Sequence, residues 1–193
     1  LYPLLGGEGS RHYLLLVQNN AEERASGGNP ASMAMLVVDN GKITLGRQAS
    51  SADFPHPYDK PPYSPKGAGN GDWDTIYTDH ASSYLTNITM TPDFPTTARM
   101  ATAMWKSEFG GKVDGVISVD PIALAHLLNA TGPIELADGT TIDGSNAVSF
   151  LLHDVYAQYP DAAIQDKVFA SAARSIFAAM MSGTGDPRAY LDE

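Results

Sequence analysis

The amino-acid sequence predicts an α/β domain in three layers, a central mixed sheet flanked by helices. Three observations predict it. Lys112-Val-Asp-Gly-Val-Ile-Ser-Val-Asp-Pro-Ile-Ala-Leu-Ala-His-Leu-Leu-Asn-Ala-Thr-Gly-Pro133 reads without a gap as strand, helix start, helix and helix stop. Asn40-Gly41 joins two β-rich runs, the strongest short signal for a hairpin. Ile164, Val168, Ala172 and Ile176 recur at helical spacing near the end of the chain.

Along the chain, Arg11 to Val17 is the first expected strand and runs into the polar segment Gln18 to Pro30, expected as a loop at its carboxyl end. Met33 to Asp39 and Lys42 to Arg47 are the two arms of the hairpin. Residues 49–73 carry five prolines from Pro55 to Pro65, and glycines at 67, 69 and 71, which predicts a long loop without regular structure. Asp93 to Gly111 is a helix opened by Pro95 and stopped at Gly110, with Met100, Met104 and Trp105 on its inner face. Val113 to Val119 is apolar and β-branched enough to be buried on both faces. Asp120 can accept the first free N–H groups of the next helix, and Pro121 lacks the donor that would go unpaired there. Leu124, Leu127 and Leu128 form that helix's apolar stripe, and Gly132-Pro133 ends it. Ile134 to Leu136 and Thr141-Ile142 flank a turn at Asp138-Gly139, and helices of about Ser145 to Tyr159 and Asp161 to Met181 follow.

A length of 193 residues and a hydrophobic fraction of 43% suit one domain over 1–193. No segment is long and apolar enough to span a bilayer, and Leu1-Tyr-Pro-Leu-Leu is too short for a signal peptide, so any anchor is expected upstream. The net charge of −10 repels phosphate backbones and sets nucleic-acid binding aside. With no cysteine, disulfides, thiolate metal sites and Cys nucleophiles are excluded together.

The chain has no Gly-x-Ser-x-Gly elbow, Walker loop or His-Glu-x-x-His. Gly67-x-Gly-x-Gly71 follows no strand and reads as a turn. Asp72, Asp74, Asp79 and His80 could gather ligands for a hard cation, against a solvated acidic turn, which their spacing favours. His126 and His153 read as helix residues with local partners. Tyr58, Tyr63 and Trp73 either present an aromatic surface to a sugar or peptide or pin the long loop to the body. The segment after the first strand carries more weight, because ligands of open α/β sheets bind beyond the carboxyl ends of strands. There Asn19 and Asn20 offer donors and acceptors, Glu22 a carboxylate, Arg24 a fork for phosphate or carboxylate, and Gly27-Gly28 close backbone approach. The competing reading is an internal Glu22 to Arg24 network that only shapes the loop.

Three motifs in order resemble the bacterial domain-of-unknown-function 4012 family: Tyr13-Leu-Leu-Leu-Val-Gln-Asn-Asn-Ala-Glu-Glu-Arg-Ala-Ser-Gly-Gly28, Pro92-Asp-Phe-Pro-Thr-Thr-Ala-Arg99, and Val113-Asp-Gly-Val-Ile-Ser-Val-Asp-Pro121 with Ala130-Thr-Gly-Pro133. Asn29-Pro30 departs from the apolar and small residues usual there, so the start of the second strand is expected to differ. The family is distantly similar to the LytR-CpsA-Psr enzymes, which transfer glycopolymers from a polyprenyl pyrophosphate carrier to the bacterial cell wall. That similarity implies an extracytoplasmic domain, anchored by an upstream segment.

It also implies arginines for a pyrophosphate and carboxylates for Mg2+. Those residues are mostly missing. This chain has Asn19, Pro30-Ala31-Ser32, Ala49-Ser50-Ser51 and Leu152-His153-Asp154 where the enzymes carry Asp, Arg-Ser-Asp, Pro-Arg-Asp and Arg-x-Arg, and Gln165 and Lys167 in place of a last Arg pair. The expectation is therefore a domain that binds or organises an envelope component, a cell-wall glycopolymer or a polyprenyl-phosphate lipid, without catalysis or cofactor. The alternative is a phosphotransferase in which Arg24, Arg47 and Lys167 hold a polyprenyl-linked substrate while Asn19, Asn20 and Glu22 organise Mg2+.

Overall fold

The computed structural model describes residues 2–65, 72–136 and 138–181 and is a mixed α/β protein. It divides into two compact units, Leu1–Ser118 and Val119–Glu193. The first unit is built on β1 (Arg11–Arg24), β2 (Gly27–Asp39) and β3 (Lys42–Ser50), followed by short helices α1 (Asp72–Ile76) and α2 (His80–Ser83), the long helix α3 (Phe94–Phe109), and all but the last residue of β4 (Gly115–Val119). The four strands form one sheet in the order β3-β2-β1-β4.

The hairpin at Asn40-Gly41 forms as expected, with Asp39 paired to Lys42 and both turn residues at positive φ, 47° and 80°. Alternation along β1 sends Leu14 and Leu16 to the core, where they meet Met33 and Met35 of β2 and Met100, Met104 and Trp105 of α3, so the inner face read from the sequence is the observed one. Asp93 caps α3 by accepting the Thr96 N–H at 3.1 Å, and Gly110 stops it at φ 68°.

Two of the expectations that fail in this unit concern β4 and the long loop. Val113 to Val119 is not buried on both faces: β4 begins at Gly115, sits at the sheet edge, and leaves Ile117 41% exposed. A β-branched run reports strand propensity, which an edge strand shares with a central one. The long loop also starts and ends within ordered structure, because β3 continues to Ser50, a 3-10 turn spans Ser51–Asp53, and α1 begins at Asp72. Phe54 and Tyr58 anchor the stretch between them in the core. The glycines at 67, 69 and 71 lie outside the described residues.

The second unit contains α4 (Pro121–Thr131), a two-stranded hairpin of β5 (Ile134–Glu135) and β6 (Thr141–Ile142), α5 (Ala147–Ser149), α6 (Val155–Gln158) and α7 (Ala162–Met181). Its core gathers Leu128, Ile142, Phe150, Val155, Ala172 and Ile176. The helix expected over 145–159 is helical from Ala147 to Gln158 but contains a π-helical turn, Phe150–Asp154. Ile164, assigned to the inner stripe of α7, is 41% exposed, whereas Ala172 and Ile176 are buried. Asp120 caps α4 as expected, its Oδ1 accepting the Ala123 N–H at 2.8 Å, and Gly132 ends the helix at φ 89°. Asp120→Ala is expected to lower the unfolding free energy by about 1 kcal/mol, the usual loss for a helix cap, measured by urea denaturation.

Candidate functional site

The segment expected as a loop after the first strand is instead strand, interrupted. The register of β1 against β2 runs Val17 to Ser32, then Asn19 to Asn29, then Glu23 to Gly28. On β2 the first jump leaves Pro30 and Ala31 opposite Gln18, so the residue that cannot donate to a ladder sits in a bulge. On β1 the second jump loops out Asn20, Ala21 and Glu22. The polar cluster found in the sequence is thus a bulge in a hairpin arm, and the unusual Asn29-Pro30 pair lies opposite it.

The cluster is wired inward. Asn19 Oδ1 accepts the Ala21 N–H at 3.0 Å, an Asx-type turn that closes the bulge. Glu22 Oε1 accepts from Asn19 Nδ2 at 3.4 Å and Glu22 Oε2 from Asn29 Nδ2 at 3.0 Å. Arg24 Nη1 donates to the Glu23 carbonyl at 2.9 Å and to the Glu22 carbonyl at 3.4 Å, while Nη2 stands 4.0 Å from Glu22 Oε2. Across the hairpin, Gln18 Oε1 accepts the Gly28 N–H at 2.9 Å. Thr89 Oγ1 donates to the Gly28 carbonyl at 2.8 Å, and Ser26 N–H returns to the Thr89 carbonyl at 3.1 Å. Gln18 and Asn29 are buried, and Gln18 Nε2 and Asn29 Oδ1 have no hydrogen-bond partner among the described residues.

The candidate residues divide. Asn19, Asn20, Glu22 and Arg24 share this bulge. Arg47 lies on β3, with its guanidinium 4.9 Å from the centre of the Phe109 ring. Its neighbours there pair with Ala34 and Leu36 of β2, seven or more residues from Gly27, the partner of Arg24. At the usual strand rise that is about 20–25 Å. Lys167 is an exposed residue of α7 in the second unit. For a divalent ion the polarity at Glu22 is wrong as it stands, because Asn19 and Asn29 present N–H groups to both carboxylate oxygens. Among the described residues, no three His, Asp or Glu side chains gather as a metal-holding group. In the acidic turn expected to favour a solvated reading, the Asp79 carbonyl accepts from Ser82 and Ser83, and His80 stacks on Tyr84. His153 is exposed and bonds its neighbour Asp154 at 2.8 Å.

A second feature, missed in the sequence, is a groove of about 400 Å³ in the first unit. One wall is a face of α3, with Arg99, Thr102, Ala103 and Lys106, and the other is the stretch Val113 to Val116 that leads into β4, while Tyr63 closes one side. Of the three aromatics picked out in the long loop, Tyr63 alone lines this groove. Tyr58 is buried and donates to Glu108 Oε1 at 2.9 Å; burial, then that carboxylate, pushes its phenol up. Trp73 packs against the core and lies 4.4 Å from the Tyr77 ring. The pinning role holds for all three, since Tyr63 also packs, partly buried, against the core.

Asp114 is the charged hinge of the groove. Its carboxylate accepts Lys112 Nζ at 2.7 Å, the His12 backbone N–H at 2.9 Å and Arg11 Nη1 at 3.5 Å. The Lys112 hydrogen bond, aided by the His12 N–H and Arg11, pulls its pKa down to about 2. A signal for the groove was present in the sequence as Arg99-x-x-Thr102-Ala103-x-x-Lys106, one polar face at helical spacing. Nothing in the sequence placed Tyr63 or Asp114 beside that face.

No described helix is long and apolar enough to cross a membrane. Among curated proteins no relative matches the chain. The family model described as a protein of unknown function, DUF4012, matches residues 8–156. That span takes in all three motifs that carried the resemblance, and the chain belongs to the DUF4012 family.

Proposed function

We propose that this chain is a LytR-CpsA-Psr-like domain on the outer side of the bacterial membrane, held there by an upstream anchor. It binds or organises an envelope component, a cell-wall glycopolymer or its polyprenyl-phosphate carrier, and does not transfer it. The observation that supports this reading is the state of Arg24. A phosphotransferase needs free guanidinium groups aimed at a pyrophosphate, and Arg24 is committed to two backbone carbonyls and to Glu22. Arg47 is stacked on an aromatic ring on another strand. A pyrophosphate at the bulge would meet one engaged arginine beside a carboxylate, and unpaired phosphate charge in a partly buried site costs several kcal/mol.

The test is incubation of the protein with a polyprenyl-pyrophosphate-linked glycopolymer, an acceptor glycan and Mg2+. The expected result is retention of the polymer on the protein with no transfer product, unchanged in Arg24→Ala. Transfer that Arg24→Ala abolishes would overturn the proposal in favour of a phosphotransferase.

A further inference from the structure

We infer that the groove between α3 and the approach to β4 binds a short stretch of an anionic glycan, with Arg99 and Lys106 each meeting one acidic group and Tyr63 lying against a sugar ring. This deepens the binding reading by naming a site and a ligand class for it. The volume, about 400 Å³, is within the range of small-molecule sites. Arg99 and Lys106 stand seven residues apart, which places them on one face of α3 about 10 Å apart along its axis. Because Arg99 Nη2 is held toward Thr96 and Asp93, on the side away from Lys106, that separation is kept. It suits two charges on alternate residues of an extended chain.

The charges are arranged for an anion although the chain as a whole carries −10. Two of its 12 Lys and Arg residues, Arg99 and Lys106, line the groove. Asp114, the acid among the groove's lining residues, is neutralised by Lys112 and Arg11. Asp93 takes one side of Arg99, 3.7 Å from Nη2, and Thr96 Oγ1 accepts from the same nitrogen at 2.8 Å. These contacts hold the guanidinium in place through one nitrogen. Glu108, on the same helix, accepts the Tyr58 hydroxyl and is not among the groove's lining residues. Thr102 supplies a hydroxyl, Ala98 and Ala103 add small apolar side chains at the two margins of the helix face, and Val113 and Val116 line the opposite wall. A phenol ring, a hydroxyl and short apolar walls suit the faces and edges of a pyranose ring.

Binding of trigalacturonate, maltotriose and tripolyphosphate to the whole 193-residue chain tests this, by calorimetry or NMR titration at low salt. Trigalacturonate is expected to bind saturably, and the neutral maltotriose and the ring-free tripolyphosphate each about tenfold or more weaker. Lys106→Ala and Arg99→Ala should each weaken trigalacturonate about threefold to tenfold, as expected for partly exposed charge pairs. Tyr63→Ala should do likewise, and Arg24→Ala should leave binding unchanged. Equal affinity for maltotriose or tripolyphosphate, or full affinity in Lys106→Ala, overturns the inference. Glycopolymer retention that survives Lys106→Ala and Arg99→Ala would overturn this site while leaving the binding reading standing. Transfer lost in Arg24→Ala would overturn that reading without touching the groove.

Discussion

Gly28→Ala is expected to destabilise the protein by about 3 kcal/mol, more than any other change considered at the bulge. A Cβ on Gly28 would lie 2.3 Å from the Asn19 carbonyl oxygen, 2.5 Å from its carbon and 2.7 Å from the Asn20 nitrogen. All three are backbone atoms of the paired strand, so no side chain can swing away and the strands themselves must part. Parting them also strains the Gly28 N–H bond to Gln18 and the Thr89 bond to the Gly28 carbonyl. Each such loss in a buried place adds about 1 kcal/mol or more. Gly41→Ala is the control. It sits at φ 80° with nothing within 4 Å of its Cβ, so its loss is conformational, about 1–2 kcal/mol. Urea denaturation measures both, and hydrogen exchange should show the Ser26 and Gly28 amides losing protection in Gly28→Ala. A Gly28→Ala protein no less stable than Gly41→Ala would mean that the two strands are not held this closely.

That close approach explains what the sequence could and could not reveal at the bulge. Gly27-Gly28 signalled that backbone would come near backbone, and it does. The backbone that comes near at Gly28 is that of the preceding strand, where the sequence left open whether a ligand or the segment itself would be the partner. Polar residues between two strand patterns read as a loop, since turn chemistry and bulge chemistry use the same side chains: Asn19 closes an Asx turn in either case. What separates them is whether hydrogen bonds continue past the interruption, as they do at Glu23 and Gly28. Local signals succeeded where the physics is local. The Asp93 and Asp120 caps, the Asn40-Gly41 turn and the stops at Gly110 and Gly132 each depend on a few consecutive residues.

The groove was illegible for the opposite reason. Arg99 and Lys106 are seven residues apart and their shared face could be read, but the opposite wall comes from Val113 to Val116 and the side from Tyr63 in the Pro-rich stretch. The burial of β4 was misjudged similarly, because strand order decides it: an apolar strand is fully covered only if strands lie on both edges and layers on both faces. Placing β4 at the edge, beside β1, depends on contacts about 100 residues apart.

Asp114 makes the most concentrated of those contacts, and its replacement carries the second large expected effect. The His12 N–H donates to the Asp114 carboxylate and the Asp114 N–H to the His12 carbonyl, so one residue ties the approach to β4 onto β1 through both backbone and side chain. Its side chain is 11% exposed, and its pKa falls from 3.8 to about 2. A carboxyl whose folded pKa lies below its unfolded value contributes stability that is fully present above the unfolded value and is lost as the pH falls through the folded one. The contribution should therefore fade between about pH 5 and pH 2. At 1.36 kcal/mol per unit the shift is worth about 2 kcal/mol, and solvent around Lys112, 61% exposed, reduces this to about 1–2 kcal/mol. Asp114→Asn keeps an acceptor for the His12 N–H and removes only the charge, so it should lose that amount at pH 7 and unfold with a shallower acid dependence between pH 5 and pH 2. Asp114→Ala also strands the part-buried His12 N–H and should lose about 2–3 kcal/mol. Denaturant melts across that pH range measure both, and an Asp114→Asn protein with the parent's acid slope would show that the Arg11 and Lys112 contacts add nothing to the fold. If the slope does flatten, the same carboxylate that fixes β4 against β1 also sets the position of the wall facing Arg99 and Lys106, and the groove should lose its shape in acid before the core does.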